Sequence, residues 1–355
     1  MSDSIGIAVI GAGAIGRTHI ETLAGMPGLH LSAIVDPMPA ARSLAESLDV
    51  PCLPQIGDLL ESGLAKAAIV ATPNETHLPV SAALLRAGLP VLLEKPVAES
   101  LSSALDLIAV ADETGVPLLV GHHRRHNPII RAAREAIAAG RIGDLVMATV
   151  TCSLAKPQSY FDAAWRRNPG AGGPLLINLV HEIDLLRHFF GEIAHVQATA
   201  SHDRRGFAVE DTAAVTVSFA RGGLATLCIS DAAVGPWAWD LSAGENPARF
   251  PAHPVTPHLY CGSAAGLSLP DLALWQPPGA PDWTVPLQPQ RLEVTPGDPY
   301  RAQLEHFADL IRHGGRPLVS VRDATANLIV LDAIARAAAS GQRVAVDLSP
   351  LGPET

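Results

Sequence analysis

The sequence predicts an α/β protein in two parts, a first part with a parallel sheet and a second part with a mostly antiparallel sheet. In the first 120 residues, short apolar runs alternate with segments whose apolar residues recur at helical spacing. After residue 122, alternating or apolar strand patterns follow one another between a few longer helices. A length of 355 residues is enough for two domains that each bury a core.

The first part is predicted to contain five strands with four helices between them. The strands are apolar, which is typical of strands covered on both faces. They lie at Ile7–Ile10, Leu31–Val35, Ala67–Ala71, Val91–Leu93 and Pro117–Val120. The helices lie at Ile15–Leu23, Arg42–Leu48, Leu78–Arg86 and Ala104–Ala111. Because strands and helices alternate, the connections are βαβ crossovers and the sheet is predicted to be parallel.

The second part is predicted to contain four helices and seven strands. The helices lie at Ile129–Ala139, Leu175–Phe190, Tyr300–Arg312 and Arg322–Ala339. The strands lie at Leu145–Cys152, Val196–Ser201, Thr212–Phe219, Leu224–Ser230, Trp237–Leu241, Leu267–Leu269 and Val344–Val346. Gly-containing connections between some of them favour antiparallel pairing.

Two segments of the second part stand apart from this pattern. The stretch Trp275–Pro299 is crowded with proline and is predicted to be irregular. Trp237 and Trp239 are two positions apart in a predicted strand, so they would share one face of it. A shared face with two tryptophans favours an oligomer interface over a pocket.

Composition and charge exclude several classes of protein. Lys and Arg number 25 against 35 Asp and Glu, a net charge of −10, which argues against a nucleic-acid-binding protein. The chain has no run of about 18 apolar residues that could span a membrane, and its first residues lack the basic start of a signal peptide. The four cysteines have no paired spacing and are predicted to be buried free thiols. We therefore expect a cytoplasmic protein without nucleic-acid or membrane partners.

The strongest motif is a glycine-rich turn after the first predicted strand, Gly11-Ala12-Gly13-Ala14-Ile15-Gly16. In a dinucleotide-binding turn, the first glycine permits the tight turn and the second lets pyrophosphate approach the backbone. The third lets the helix pack closely on the strand, and the free N–H groups of the helix N-terminus face the phosphates. The motif therefore predicts a Rossmann domain whose cofactor contacts include Gly11, Gly13, Ala14, Ile15 and Gly16.

Asp36 follows the second predicted strand and favours NAD over NADP. An acidic residue at this point accepts hydrogen bonds from the ribose hydroxyls and repels a 2′-phosphate. Pro37 and Met38 supply no adjacent arginine for such a phosphate, although Arg42 one turn later leaves some use of NADP open. The structural alternative is a glycine turn without a ligand, with Asp36 as a helix cap.

Two further motifs follow neighbouring predicted strands, and they lead to a family resemblance. They are Thr72-Pro73-Asn74-Glu75-Thr76-His77 and Glu94-Lys95-Pro96, placed at carboxyl ends of parallel strands, where open α/β sheets bind ligands. With the glycine turn they resemble the Gfo/Idh/MocA oxidoreductase family. Further matches run along essentially the whole chain, at Gly121–Arg125, at Gly172-Gly173 before His181 and Asp184, and at Gln303–Phe307.

The resemblance implies an N-terminal Rossmann dinucleotide-binding domain plus a C-terminal α+β domain with a large, mostly antiparallel open sheet. We place the first domain at residues 1–122 and the second at 123–355. In the family the open sheet often mediates oligomerisation, so a homodimer or homotetramer is expected. Cofactor contacts are expected to extend to Thr72, Pro73, Asn74, His77, Glu94, Lys95 and Arg124.

The resemblance assigns the chemistry to a lysine and a histidine. Lys95 matches the family's lysine near the nicotinamide and the reacting hydroxyl, where a cationic neighbour and partial desolvation should lower the pKa of its ammonium. His181 matches the family's helical acid/base histidine. The aspartate usual four residues earlier is replaced by Ile177. Asn178, three residues before His181 and on the same helix face, is expected to bind substrate instead.

The loop Ser153–Gly173 supplies the remaining candidates for substrate binding. Its Trp-Arg pair resembles the family's loop over the nicotinamide side of the site, and aromatic faces suit the C–H surfaces of sugars or cyclitols. Lys156 and Arg167 could likewise contact hydroxyls or a carboxylate. The expected substrate contacts are Asn178, Tyr160, Arg166, Trp165 and His123. No metal is expected, because His122, His123 and His126 lack convergent ligand spacing with His181 and Glu182.

The sequence therefore predicts an NAD-dependent oxidoreductase that takes hydride from a secondary hydroxyl of a sugar, cyclitol or related cyclic polyol. Lys95 and His181 would manage the hydroxyl proton. The basic loop leaves open a carboxylated cyclic substrate, such as a sugar acid or a cyclic dihydrodiol acid. An NAD-dependent glycosidase with transient redox chemistry and a non-catalytic dinucleotide-sensing regulator are the further alternatives.

Overall fold

In a computed structural model, which describes residues 4–352, the chain forms two compact units that each contain one sheet. The first unit comprises Met1–His126, Asp298–Leu328 and Pro350–Thr355. The second comprises Asn127–Gly297 and Ile329–Ser349. One sheet is parallel and the other is mostly antiparallel, which confirms the predicted fold class.

The parallel sheet of the first unit has six strands in the order β3-β2-β1-β4-β5-β6. They are β1 (Ile5–Ile10), β2 (Leu29–Val35), β3 (Cys52–Leu53), β4 (Ala67–Val70), β5 (Val91–Leu93) and β6 (Leu118–Val120). The order reverses direction between β1 and β4, which are paired neighbours. In such sheets, ligands bind at the carboxyl ends of the strands beside this reversal.

Five helices of the first unit connect these strands. They are α1 (Ala14–Leu23), α2 (Pro39–Ser47), α3 (Ile56–Ser62), α4 (His77–Arg86) and α5 (Leu101–Thr114). The sequence did not predict β3 or α3, because a two-residue strand and a seven-residue helix leave almost no periodic pattern. β1, β4, β5 and β6 are buried along their whole length, as crossover helices on both faces require.

The second unit is built on a nine-stranded sheet in the order β14-β13-β12-β11-β7-β10-β9-β8-β15. Its strands are β7 (Leu145–Ser153), β8 (Ile193–Ser201), β9 (Thr212–Phe219), β10 (Leu224–Ser230), β11 (His258–Gly262), β12 (Gly266–Leu269), β13 (Ala273–Gln276), β14 (Gln288–Arg291) and β15 (Val344–Ala345). Within the described part of this nine-stranded sheet, only the pairing of β7 with β10 is parallel.

Among the described residues, three α-helices lie wholly within the second unit and pack on the inward residues of the sheet. They are α6 (Pro128–Ala138), α7 (Val180–Phe190) and the short α8 (Trp239–Ser242), with a π-helical turn at Leu175–Leu179 directly before α7. The single helix predicted over Leu175–Phe190 therefore consists of two helical types. Wider turns of this kind occur often at functional sites, because they displace side chains from α-helical register.

Two predictions for the second unit were wrong. Trp237–Leu241 is not a strand, because Trp239 begins α8, where its ring is fully buried, while Trp237 is 49% exposed. The two rings therefore do not share a face. The segment Trp275–Pro299 is not wholly irregular either, because Gln288–Arg291 pairs with β13. Pro289 lies on the outermost strand at that end of the sheet, where proline is tolerated.

The cysteines differ from the prediction of buried thiols. Cys152 is buried and Cys52 is partly buried, but Cys228 and Cys261 are exposed. The last two alternate with core residues on β10 and β11, so they lie on the uncovered face of the sheet. No disulfide bond is present among the described residues.

The last two long helices are α9 (Pro299–His313) and α10 (Val321–Ser340). α9 and the first residues of α10 belong to the first unit, and α10 enters the second unit after Leu328. This grouping differs from a division at residue 122. It follows from burial, because Leu304 and Phe307 pack into the core around the parallel sheet. Within the described residues, no helix is both long enough and apolar enough to cross a membrane.

Candidate active site

The glycine turn lies between β1 and α1 in the geometry that the sequence predicts. Gly11 has φ +88°, a conformation that favours glycine, and its N–H donates to the Val35 carbonyl (2.9 Å). A Cβ on Gly16 would overlap the backbone carbonyl of Gly11, so the helix can pack here only without a side chain. A Cβ on Gly13 would meet no atom within 4 Å, so the surface beside this residue is open to a ligand.

Asp36 lies beside this turn. Its Oδ2 accepts a hydrogen bond from the Ala12 N–H, and its Oδ1 accepts one from the Met38 N–H, both at 2.8 Å. The carboxylate therefore ties the end of β2 to the glycine turn. Each carboxylate oxygen has about two acceptor positions, so room remains for a ribose hydroxyl. The turn, the N-terminus of α1 and Asp36 together fit a dinucleotide.

His77 joins the two turns that follow β4 and β5. Its Nδ1 lies 2.8 Å from the Pro96 carbonyl oxygen, and its Nε2 lies 3.0 Å from that of Thr72. The ring is 1% exposed, and this burial lowers the pKa of His77. His77 therefore positions the turns, while half-buried Thr72 and Asn74 and exposed Pro73 lie around it.

Glu94 faces the protein interior, where it pairs with His19 of α1. His19 Nε2 lies 2.7 Å from Glu94 Oε1, and both side chains are buried. Burial opposes ionisation of Glu94, but the hydrogen bond from His19 and electrostatic interactions with His19, His123 and Lys95 hold the pKa of Glu94 below its usual value. The pair connects the helix of the glycine turn to the Glu-Lys-Pro turn. The sequence analysis missed His19, whose partner is 75 residues away.

Lys95 follows Glu94 at the end of β5 and is half-buried. Its backbone N–H donates to Glu94 Oε2 (3.3 Å), so the same carboxylate that pairs with His19 also orders the lysine's backbone. The structure thus gives Lys95 a rigid base at the carboxyl edge of the parallel sheet.

The segment after β6, which ends the first stretch of the first unit at His126, carries His123 and Arg124. The His123 ring stacks on Tyr300 of α9, with centroids 4.5 Å apart and an angle of 12° between the planes. Tyr300 also meets the edge of His19 (5.7 Å), so these rings form one cluster. Arg124 is only 3% exposed, and Arg125 pairs with Asp323 at 2.5 Å. Among the described residues, no group of His, Cys, Asp and Glu could hold a metal ion.

In the second unit, His181 and Asn178 lie on either side of the boundary between the π-helical turn and α7. The turn begins where the Leu175 N–H donates to Glu210 Oε1 (2.9 Å), and burial raises the pKa of that glutamate. Gly173 has φ +84°, and a Cβ there would collide with the Glu210 carboxylate. Gly173 therefore makes room for Glu210, a residue that no sequence motif marked, while a Cβ on Gly172 would overlap the backbone of Arg166.

Three of the expected substrate residues come together in the loop after β7. Arg166 Nη1 donates to the Tyr160 carbonyl (2.5 Å), and its guanidinium lies 4.0 Å from the Tyr160 ring centroid and 5.2 Å from that of Trp165. Burial raises the pKa of Tyr160. Arg166 thus organises the aromatic residues, and Trp165, 47% exposed, is available to a ligand.

Lys156 joins this loop to Asn178. Its Nζ donates to Asn178 Oδ1 (2.7 Å) and lies 4.0 Å from Asp231 Oδ2, while Arg205 Nε donates to Asp231 Oδ1 (2.7 Å). Burial raises the pKa of Asp231, against the hydrogen bond from Arg205 and the charge of Lys156. Neither Asp231 nor Arg205 was predicted, because their spacing along the chain shows no motif.

A buried polar cluster underlies α7. Glu182 Oε2 lies 3.1 Å from His258 Nε2, and the Tyr260 hydroxyl lies 3.1 Å from His258 Nδ1. The His258 and Glu182 side chains are 0% and 1% exposed. Because Glu182 directly follows His181, this cluster anchors α7 to β11 next to the candidate acid/base residue.

Comparisons with known proteins bear on what this arrangement is for. A model described as an oxidoreductase family with an NAD-binding Rossmann fold matches residues 5–122, and the GFO/IDH/MocA C-terminal domain model matches residues 130–244. A 1,5-anhydro-D-fructose reductase of Ensifer adhaerens is 30% identical over 287 residues, or 79% of this chain and 80% of that protein. The chain belongs to the Gfo/Idh/MocA oxidoreductase family.

Other relatives in this family match over shorter stretches. An inositol 2-dehydrogenase of Corynebacterium glutamicum is 32% identical over 197 residues, covering 52% of this chain. That match spans only 54% of the relative, so the chain aligns with about half of its length. The solved structure of the WlbA dehydrogenase of Bordetella pertussis, in complex with NADH and UDP-GlcNAcA, has a TM-score of 0.81 at 22% identity. It covers 98% of this chain and 99% of that one and shares the fold.

Membership of this Gfo/Idh/MocA family confirms the resemblance and the NAD-binding Rossmann domain that the glycine motif and Asp36 predicted. The structure also shows which polar side chain lies next to Ile177, the residue that replaces the family's usual aspartate. The side chain that projects toward the loop beside the family's histidine is the amide of Asn178, which Lys156 holds.

Proposed function

We propose that the protein is an NAD-dependent oxidoreductase that oxidises a secondary hydroxyl of a sugar, cyclitol or related cyclic polyol. The observation that carries the proposal is Lys95, held by the Glu94–His19 pair at the same sheet edge as the glycine turn. Family membership and the names of the inositol and anhydrofructose enzymes support it.

The residues of this chain divide the work between binding and proton transfer. NAD, when bound at the glycine turn and Asp36, supplies the hydride acceptor. Lys95 would hydrogen-bond the substrate hydroxyl, and His181, whose reference pKa is near neutral, would serve as the acid/base group. Trp165 and Tyr160 would contact the C–H faces of the ring, and Asn178 would bind one of its oxygens.

The charges around Asn178 favour a neutral polyol over a carboxylated substrate. Lys156 and Arg205 both lie against Asp231, and Asp211 accepts hydrogen bonds from the backbone N–H groups of Arg204 and Arg205 (2.9 Å each). The positive charges of Lys156 and Arg205 thus face the carboxylate of Asp231, and the charge of Asp211 acts on the same carboxylate. A carboxylated substrate would need a surplus of positive charge to offset its desolvation.

The test is nicotinamide absorbance at 340 nm with the purified protein, NAD or NADP, and a panel of neutral cyclic polyols and carboxylated cyclic alcohols. We expect NADH formation with neutral polyols and its loss in Lys95→Ala. Lys66→Ala is the matched control, because Lys66 lies on the loop before β4, away from the glycine turn and the Glu-Lys-Pro turn.

Other outcomes would overturn parts of the proposal. If the protein turned over only carboxylated cyclic alcohols, the proposed substrate class would change from neutral polyols to carboxylated ones. A product formed without net NADH would indicate transient redox chemistry of the glycosidase type. Tight NAD binding with no turnover across the panel would favour a dinucleotide-sensing regulator. Unchanged turnover in Lys95→Ala would remove Lys95 from the chemistry.

A further inference from the structure

Asn178 presents only one side of its amide to a ligand. Lys156 donates to Asn178 Oδ1 at 2.7 Å. An ammonium group can only donate, so the atom that faces it must be the amide oxygen. Among the described residues, the Asn178 side chain makes no other hydrogen bond, which leaves its two N–H donors for a bound molecule.

Lys156 is held too firmly to be an ordinary surface lysine. Its backbone N–H donates to the Asp231 carbonyl (2.8 Å), and its carbonyl accepts from Arg205 Nη2 (2.9 Å). Its side chain is 7% exposed, and its Nζ lies 4.6 Å from the Tyr160 ring centroid and 4.0 Å from Asp231 Oδ2. Contacts on the backbone, the carboxylate and the ring therefore fix where the ammonium lies.

We propose that Lys156 is a positioning residue that turns Asn178 so that its amide offers N–H donors, and no acceptor, to the substrate. The inference rests on the proposed function, and it specifies the substrate further. The oxygen that meets Asn178 must accept a hydrogen bond, as a hydroxyl or carbonyl oxygen does. A protonated amine at that position has no lone pair to offer and is also repelled by Lys156.

The chemical reason for this arrangement lies at position 177. The sequence places isoleucine where the resemblance leads one to expect aspartate, so this chain has no carboxylate acceptor there. Asn178 follows one residue later, and Lys156 occupies its amide oxygen. The polar group offered to the substrate is therefore a hydrogen-bond donor, where an aspartate would offer an acceptor. Selectivity of this kind can be large, because a mismatched ligand leaves buried polar groups unpaired.

The first experiment is a double-mutant cycle on the full-length protein with the best neutral polyol of the panel. Lys156→Met and Asn178→Ala should each lower kcat/KM about tenfold, the size of one hydrogen bond, mainly through KM. Because Lys156 acts through Asn178, the double variant should be no worse than Asn178→Ala alone. Lys66→Met is the charge-matched control and should leave kcat/KM unchanged. Additive losses would overturn the proposal.

A second variant tests the donor character directly. Asn178→Asp replaces the N–H donors with acceptor oxygens while keeping the size and the contact with Lys156. We expect the wild type to prefer the polyol over the corresponding amino-polyol by at least about tenfold, and Asn178→Asp to reduce that preference. An unchanged ratio would contradict the proposed role of the amide.

A third measurement needs no substrate. The chain has six asparagines, so selective ¹⁵N-asparagine labelling gives six side-chain amide pairs in an NMR spectrum. Asn178→Asp identifies the pair of Asn178. We expect that pair to shift and to exchange faster with solvent in Lys156→Met but not in Lys66→Met. An unmoved pair would overturn the positioning role, whereas failure of the proposed function would appear separately, as absent turnover in the wild type.

Discussion

At the scale of single residues, the glycine motif contains two glycines with different tasks. Gly16 is required by the protein itself, because a side chain there would overlap the Gly11 carbonyl. Gly13 has open space beside it and an ordinary negative φ of −68°, so the folded chain would accept a larger residue. Glycine is accepted here as the N-cap of α1, and the open space beside it lets a ligand approach the backbone closely.

The first prediction compares alanine at these two positions. Gly16→Ala should lower the free energy of unfolding by about 1–3 kcal/mol, the range for overpacking. Gly13 is the N-cap of α1, where alanine is poorer than glycine, so Gly13→Ala should lower the free energy of unfolding by no more than about 1 kcal/mol, yet weaken NADH binding at least tenfold. Urea unfolding and NADH fluorescence titration measure the two effects. Wild-type NADH affinity in Gly13→Ala would contradict the phosphate role of this turn.

A second prediction concerns the pH dependence of stability through His77. Burial lowers the pKa of His77 in the folded state. Below about pH 6.5, His77 therefore becomes protonated more readily in the unfolded chain than in the folded chain, which favours unfolding. The contribution of neutral His77 to the free energy of unfolding is fully present above about pH 6.5. It is lost as the pH falls, by up to about 1.4 kcal/mol per pH unit. Urea unfolding at pH 7.5 and 5.5 should show a smaller loss in His77→Gln than in the wild type. The control is His202→Gln, an exposed residue, which should behave as the wild type does.

At the scale of elements, the second unit depends on short segments that carry large side chains. α8 has only four residues, but its Trp239 is fully buried and its ring lies 5.6 Å from that of His258. Through His258 this tryptophan contacts the cluster that holds Glu182 of α7. A four-residue helix thus supports the helix that carries His181.

The third prediction uses the two tryptophans on either side of Ala238. Trp239→Ala should destabilise the second unit by about 3–5 kcal/mol, as expected for removing a buried aromatic side chain. Trp237→Ala, at a half-exposed ring, should cost about 1 kcal/mol or less. Urea unfolding followed by circular dichroism gives both values. Similar losses in the free energy of unfolding for the two variants would contradict the burial of Trp239 alone and would favour two rings on one shared face.

At the scale of the whole molecule, one face of the nine-stranded sheet is uncovered and carries no charged residue on its central strands. Leu224, Met147 and Cys261 lie in register across β10, β7 and β11, and all three are exposed. The next row contains Leu259, Thr149 and Thr226. A face without charges that includes exposed leucine and methionine is typical of a subunit interface. We propose that a second copy of this chain covers it, in a homodimer or homotetramer.

The fourth prediction tests that assembly. Leu224→Glu places a charge on this face, at the start of the central strand β10, and should shift the protein to a smaller species in size-exclusion chromatography with light scattering. Leu64→Glu, at an exposed leucine of the first unit, should not. Circular dichroism and the urea unfolding midpoint check that the second unit of the variant remains folded. A wild type that is monomeric at micromolar concentration would contradict the proposed interface.

Local patterns in the sequence were sufficient to predict much of the secondary structure and the cofactor site of the first unit. The buried strands, the glycine turn and Asp36 depend on neighbours a few residues apart, so period and residue type predict them. The same holds for the strand-end motifs around His77 and Lys95, because parallel strands bring their carboxyl ends to one edge. Cofactor class and family followed from these residues before any contact was known.

Tertiary structure decided which side chains hold these motifs in place. His19 and Glu94, Lys156 and Asn178, and Arg205 and Asp231 are joined across 75, 22 and 26 residues. No periodic pattern encodes such pairs, because each depends on how distant elements pack and on which polar groups burial leaves to be satisfied. The same cause placed α9 in the first unit and turned Trp239 inward, since the gain from burying apolar side chains outweighs local pattern.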